Sequence, residues 1–322
     1  MAHEHLEKKI IGYINDLNQT GLELSEGAER DLNEAQNLHL GAHAVFKSFE
    51  TKLGLNLDYM AFSAANMAYC LRQKGLRDAA MEVLTTAFDA YEKRITEDND
   101  SQCGFARLLE ETGLVRRFNT NPEDPFTDLQ QGLNEEEMAA ASYEEALESP
   151  DIEIISKEEI TNRLNRTYGL VSMVALELAR LGDTNEEVNH FKQTALKYCE
   201  KEVTGRESAG ENSGQALANA YHTMAVVNTD LENFVEAGEN LDKVEKLTTS
   251  ERTKATLPFR RAWLSYKANE ERPLTANHLD VFLNGVNDLT EGDKNNIKPQ
   301  LLELGDRIGG PYQEKISSLY NN

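Results

Sequence analysis

The sequence predicts an all-α chain, an α-α superhelix of antiparallel helix pairs stacked side by side. Three observations predict it. First, residues 216–247 read as two helices joined by a turn. Ala216, Leu217, Ala220, Tyr221, Met224 and Ala225 share one helical face, and Phe234, Ala237, Leu241, Val244 and Leu247 share the next. Second, the pattern recurs. Met67, Ala68, Leu71, Gly75, Ala80, Leu84 and Ala87 sit at the same offsets, and Val174, Ala175, Leu178, Gly182, Val188, Phe191 and Ala195 form a looser copy. Third, the chain has 7 prolines among 322 residues, which suits long helices, and no run of alternating strand pattern.

The elements follow in order. Glu4 to Leu17 is a short amphipathic helix, with Leu6, Ile10, Tyr13, Ile14 and Leu17 on one face. The residues before it read as frayed. Ser25 is a cap for a long second helix through Leu53, ended by Gly54. Leu57–Lys74 and Leu76–Arg94 make the first clear pair, and the polar run Thr96–Gln102 is a loop. Phe105–Phe118 is a helix, and Asn119–Pro125 is a break. Asn134 with Glu137 fits the cap of a helix through Leu147, which carries the half-copy Ala139, Tyr143, Ala146 and Pro150. Glu148–Ile155 is a second break. Ser156 with Glu159 caps a helix that Gly182 stops, and Thr184 with Glu187 caps the next. Lys201–Ser213 reads as a loop. After the central pair, Pro258 starts a helix through Ala268, Thr275 caps Ala276–Val286, and Pro299–Ile308 precedes a break at Gly309, Gly310 and Pro311.

The positions of Tyr221, Met224, Ala225, Phe234, Ala237, Leu241 and Val244 match the packing positions of a tetratricopeptide repeat (TPR). The chain resembles a degenerate, long-repeat variety of that family, with pairs recurring at roughly 40 to 50 residues rather than about 34. Ala68, Ala175 and Ala225 are small where a second helix crosses, and Tyr221, Phe191 and Phe234 fill the gaps left beside it. The resemblance divides the chain into closing helices (1–56), a first TPR-like half (57–150), a second half (151–290) and C-terminal capping helices (291–322).

Further, the resemblance implies a non-catalytic scaffold that binds a peptide or protein in a concave groove lined by the first helix of each pair. Its exposed first-helix positions are Asn66, Tyr69, Arg72 and Gln73, then Ser172, Met173 and Arg180, then Asn219, His222 and Thr223, with Arg260 and Arg261 extending the surface. Asn and Arg suit the task because they hydrogen-bond peptide backbone and carboxylates. Only Asn66 matches the set with which some members hold a terminal carboxylate, so that clamp is not expected. The alternative is an enzyme or small-molecule sensor with a pocket between helix pairs. End-to-end stacking into a homo-oligomer is a further expectation, because the ends of such arrays expose apolar faces.

Composition narrows the partners. A formal charge of −23, spread along the chain, repels phosphates and anionic membranes, so nucleic acid and membrane are not expected, whereas a basic partner is compatible. Cys70, Cys103 and Cys199 are distant from one another and lack metal spacing, which points to reduced thiols in the cytoplasm. No leader or membrane span is read, so the sequons at Asn18, Asn99 and Asn165 carry no expected sugar. His39 and His43 share a helix face, but no third ligand is near, and they read as ordinary helix residues. Glu97–Gly104 fails as a calcium loop because the bidentate position holds Leu109. No phosphate loop or nucleophile elbow occurs. The expected catalytic residues, cofactors and metals are therefore none.

Overall fold

The computed structural model describes residues 2–26, 31–53, 55–92, 102–148, 155–209, 214–268, 272–286, 291–309 and 311–320. Among these residues there are fourteen α-helices and no strand. They fall into two compact units, residues 1–191 and 192–322. The first unit holds α1 (Ala2–Glu26), α2 (Leu32–Leu53), α3 (Asp58–Gln73), α4 (Arg77–Glu92), α5 (Gln102–Phe118), α6 (Pro125–Glu148) and α7 (Lys157–Leu181). Helix α8 (Asn185–Ser208) carries the boundary. The second unit holds α9 (Gly214–Asp230), α10 (Phe234–Leu247), α11 (Glu251–Lys267), α12 (Arg272–Gly285), α13 (Glu291–Ile308) and α14 (Pro311–Ser318).

Sequential helices pack as pairs: α1 on α2, α3 on α4, α5 on α6, α9 on α10, α11 on α12 and α13 on α14. The first helices also touch each other, α3 with α5 and α5 with α7 in one unit, α9 with α11 and α11 with α13 in the other. Small residues permit this. Ala61, Ala64, Ala65 and Ala68 of α3 and Ala80 and Ala87 of α4 are buried in one core with Phe46, Leu84, Tyr91 and Leu108. Ala175 and Ala225 are buried as the packing pattern requires.

Two turns close their helices identically. After α3, Gly75 N–H donates to Arg72 O at 2.9 Å and Leu76 N–H to Leu71 O at 2.9 Å. After α9, Glu232 N–H donates to Thr229 O at 3.2 Å and Asn233 N–H to Asn228 O at 2.8 Å. Both are Schellman turns, and both put their central residue in the left-handed region, φ 73° at Gly75 and φ 65° at Glu232. Glycine adopts that conformation freely; glutamate does so at a cost of about 1 kcal/mol or more.

Several sequence expectations are corrected. Helix α1 runs from Ala2 to Glu26, so its amino end is helical rather than frayed. Ser25 does not cap α2; its hydroxyl donates to Leu22 O, and Asp31 caps α2 by accepting from Asn33 N and Glu34 N. Asn134 lies inside α6, whose start is held by Asp124 accepting from Thr127 N. The supposed half-copy has its first helix after all, because α5 packs on α6. Residues 201–208 continue α8 rather than forming a loop. Pro258, Pro299 and Thr275 lie within α11, α13 and α12 rather than at their starts. The predicted caps at Ser156 and Thr184 form: Ser156 accepts from Glu159 N, and Thr184 and Glu187 bond each other's backbone N–H. The features expected at Gly54, Thr96–Ser101, Pro150, residues 210–213 and Gly310 lie outside the described residues.

Candidate functional site

Helix α7 carries Arg163, Arg166, Leu170, Met173, Glu177 and Arg180 at alternating spacings of three and four, and each is half-buried or exposed. A core helix would bury such a stripe, so this one is an open face. Its neighbour α5 contributes Arg117 and Phe118 from its last turn, and α3 contributes Phe62, Tyr69 and Gln73. Cross-helix contacts join the three rows. The Arg163 guanidinium lies 5.6 Å from the Phe62 ring centre. Arg72 lies 5.2 Å from the Tyr69 ring and 5.3 Å from the Phe118 ring, and Arg117 lies 5.0 Å from Phe118. Arg117 Nη2 donates to Glu177 Oε1 at 2.8 Å, tying α5 to α7. Phe118 itself is 57% exposed.

Beneath this face lies a sealed layer of charge. Glu110, Glu111 and Glu136 are each 0% exposed, and Arg107 is buried beside them. Arg72 Nε donates to Glu111 Oε1 at 2.7 Å. Arg107 Nη1 stands 3.4 Å from both Glu110 Oε2 and Glu111 Oε2, Arg166 Nε stands 3.6 Å from Glu110 Oε1, and the Tyr143 hydroxyl donates to Glu110 Oε2 at 3.2 Å. Burial works against the Glu110 charge, but Arg107, Arg166 and Arg163 overcome it and hold that carboxyl below its usual range. Glu136 meets the opposite fate. Burial first, then the neighbouring Glu110, pushes it well above the carboxylate range, and neither of its oxygens has a hydrogen-bond partner among the described residues. Gly113 makes room for it: a Cβ there would sit 2.7 Å from Glu136 Cγ.

The expected exposure of the first-helix positions is corrected at three of them. Asn66 is 5%, Arg72 7% and Ser172 0% exposed; Arg72 acts from below the surface, and the Ser172 hydroxyl donates to Tyr168 O. Tyr69, Gln73, Met173 and Arg180 do reach the open face. Asn219, His222, Thr223, Arg260 and Arg261 belong to the second unit. There Asn219 is exposed and accepts from Gln215 Nε2, and the Thr223 hydroxyl donates to Asn219 O. Arg261 Nη2 bonds Asp242 and Glu245, each at 2.8 Å, and Arg260 Nη1 donates to Gln300 Oε1 at 3.4 Å. The His222 Nε2 is sealed without a partner among the described residues, and burial, then Arg260, depresses its pKa to about 3. A cavity of about 10 Å³ in the same unit is lined by Ala225, Val226, Thr229, Leu241, Arg260 and Trp263.

His39 is buried, its Nδ1 lies 3.0 Å from Asn18 Oδ1, and the Asn18 amide donates to Ser63 Oγ. Among the described residues no three His, Cys, Asp or Glu side chains converge for a metal. Phe62, Phe118, Arg163 and Arg166 were missed by sequence reasoning. The signal for two of them was the stripe on α7, whose mixed residues alternate in the sequence at three and four.

Structural comparison agrees with this architecture. The PilF structure from Pseudomonas aeruginosa matches over 99% of this chain and 100% of its own, at 13% identity and a TM-score of 0.50. The fold is TPR-like. The TPR-like repeats of a Podosopora anserina putative kinesin light chain match 73% of this chain and 94% of theirs (16% identity, TM-score 0.45), and apo RapI matches 99% and 97% (12%, 0.40). No family sequence model and no curated protein matches the chain. At 13% identity the likeness between this TPR-like chain and the PilF structure concerns architecture alone. Its chemistry must be read from its own side chains.

Proposed function

We propose that this chain is a non-catalytic interaction scaffold that takes a peptide or protein segment on the face made by α3, α5 and α7. The observation that carries the reading is Phe118. A large aromatic ring, 57% exposed, ends α5 with the Arg72 guanidinium 5.3 Å and the Arg117 guanidinium 5.0 Å from its centre. Exposed aromatics fixed in place by stacked arginines are favourable contact anchors, because little side-chain freedom is left to lose on binding. Tyr69, Gln73, Met173 and Arg180 extend the contact, and Arg72 supports it from beneath. Asn66 and Ser172, both buried, act through packing. Asn219 and Thr223 offer a separate polar patch in the second unit, flanked by Arg260 and Arg261.

The alternative is a sensor or enzyme pocket, for which an open cleft of about 590 Å³ lined by Gly75, Arg77, Asp78, Asn119, Thr120, Asn121 and Pro122 is one candidate. The cavity beside Arg260 and Trp263 has room for about one water molecule. Cys70, Cys103 and Cys199 are all buried, in keeping with a cytoplasmic setting, where thiols stay reduced. No helix among the described residues is long and apolar enough to cross a membrane.

The test is comparative capture. Phe118→Ala and Gln73→Ala together should remove partners that the wild-type chain retains, by at least about tenfold, with an unchanged melting temperature. Capture that is identical for both proteins would reject this face.

A further inference from the structure

Independently of the α3–α5–α7 contact face, we infer that Asn284 is a site of spontaneous backbone modification, converted to aspartate and isoaspartate through a cyclic imide with Gly285. Three observations converge. Asn284–Gly285 is the only Asn–Gly step in the sequence. Asn284 is exposed, so water and base reach its amide. Gly285 is the last residue of α12, and a Cβ built on it would meet nothing within 4 Å, so the imide ring has room to form.

Glycine matters because the attacking nitrogen must turn towards the side chain before it, and a Cβ on the attacking residue hinders that turn. A helix acts in the opposite direction, since each interior amide is held in its i→i−4 bond. At Gly285 the helix ends, and its last turn can leave helical geometry without disturbing the helix interior.

The chemistry balances with water alone. The Gly285 nitrogen gives its proton to hydroxide and bonds to Asn284 Cγ. The Cγ–Nδ2 bond breaks, and the departing nitrogen takes a proton from water and leaves as ammonia. A water molecule then opens the imide. Attack at Cγ restores the main chain with aspartate; attack at the Asn284 backbone carbonyl carbon routes the main chain through Cγ as isoaspartate. Nothing is oxidised or reduced.

Either product puts a negative charge in the last turn of α12, which holds no basic residue, at the helix end whose dipole disfavours anions. Isoaspartate also lengthens the main chain just before Val286. Val286 is 3% exposed and belongs to the buried core of Phe259, Trp263, Phe282 and Ile297. The modification therefore acts on the packing of that core.

Peptide mapping by mass spectrometry tests this on the full chain, aged at physiological temperature in mildly alkaline buffer. Asn284 should gain the mass of amide-to-acid conversion sooner than any other asparagine of the described residues, and an isoaspartyl methyltransferase should label the aged peptide. Gly285→Ala, which the open space accommodates, should slow conversion by at least about tenfold. The aged wild-type chain should show a lower urea midpoint by Trp263 fluorescence, and the aged Gly285→Ala chain should keep its own. An Asn284 still intact when a free Leu-Asn-Gly-Val peptide has fully converted would overturn the proposal. Equal rates for the two chains would reject the imide route, and an unchanged Trp263 midpoint after conversion would reject the coupling to the core. None of these outcomes bears on the Phe118 face, which stands or falls by partner capture.

Discussion

Replacing Glu136 by Gln changes one proton and almost no volume, and its effect on stability should depend on pH. The carboxyl is 0% exposed, both oxygens lack partners among the described residues, and the Glu110 charge is close by. Burial and that neighbour raise its folded pKa well above 4.5, so the folded chain holds a proton that the unfolded chain releases. The sign follows directly. Between 4.5 and the folded pKa the native state binds the extra proton, so stability falls as pH rises, by about 1.4 kcal/mol per pH unit. Gln cannot titrate and escapes that loss. Urea unfolding followed by far-UV circular dichroism at about pH 5, 6 and 7 should therefore give nearly equal midpoints at the lowest value and a growing advantage for Glu136→Gln above it. Trp263 is the single tryptophan and sits in the second unit, so its fluorescence serves as an internal control. Parallel pH profiles for the two proteins would refute the reasoning, because Glu136 would then ionise in the folded state as easily as in the unfolded one.

Three further outcomes are expected. Glu232→Gly should stabilise the chain by about 1 kcal/mol in urea unfolding, since the residue holds φ 65° in a turn that Gly75 makes without strain. Gly113→Ala should destabilise it by about 1–3 kcal/mol, because the new methyl meets the Glu136 side chain 2.7 Å away; a neutral result in thermal unfolding would mean that α5 and α6 separate easily. Burial, then Arg107, depresses His39 to about 4 from 6.5, so its contribution is complete above 6.5 and lost as pH falls toward 4, about 3 kcal/mol in all. His39→Gln should flatten the acid limb of the stability profile by one proton.

The helix pairs were legible in the sequence because their signal is local. Alternating large and small residues at 3.6 spacing mark buried faces wherever the helix goes, so Ala68, Ala175, Ala225 and Tyr221 fell where expected. Helix starts were less legible. In a chain this acidic, a Glu three residues after an Asn or Ser is common inside helices, which is how Asn134 imitated a cap within α6. Gly205 is carried inside α8 at a modest propensity cost, which hid the continuation of that helix. Tyr69, Gln73 and Arg180 could be placed because they follow first-helix spacing. The submerged charges could not, because periodicity treats a glutamate as a solvent residue. Arg107 on the same helix, joined by Arg72 from α3 and by Arg163 and Arg166 from α7, makes burial of Glu110 and Glu111 tolerable.

The most direct measurement is hydrogen exchange of the full chain with and without a captured partner. The account predicts new protection in residues 58–73, 102–118 and 157–181, the three helices that share Phe118 and the α7 stripe. Protection confined to α4, α6 or the second unit, with those three helices unchanged, would contradict it.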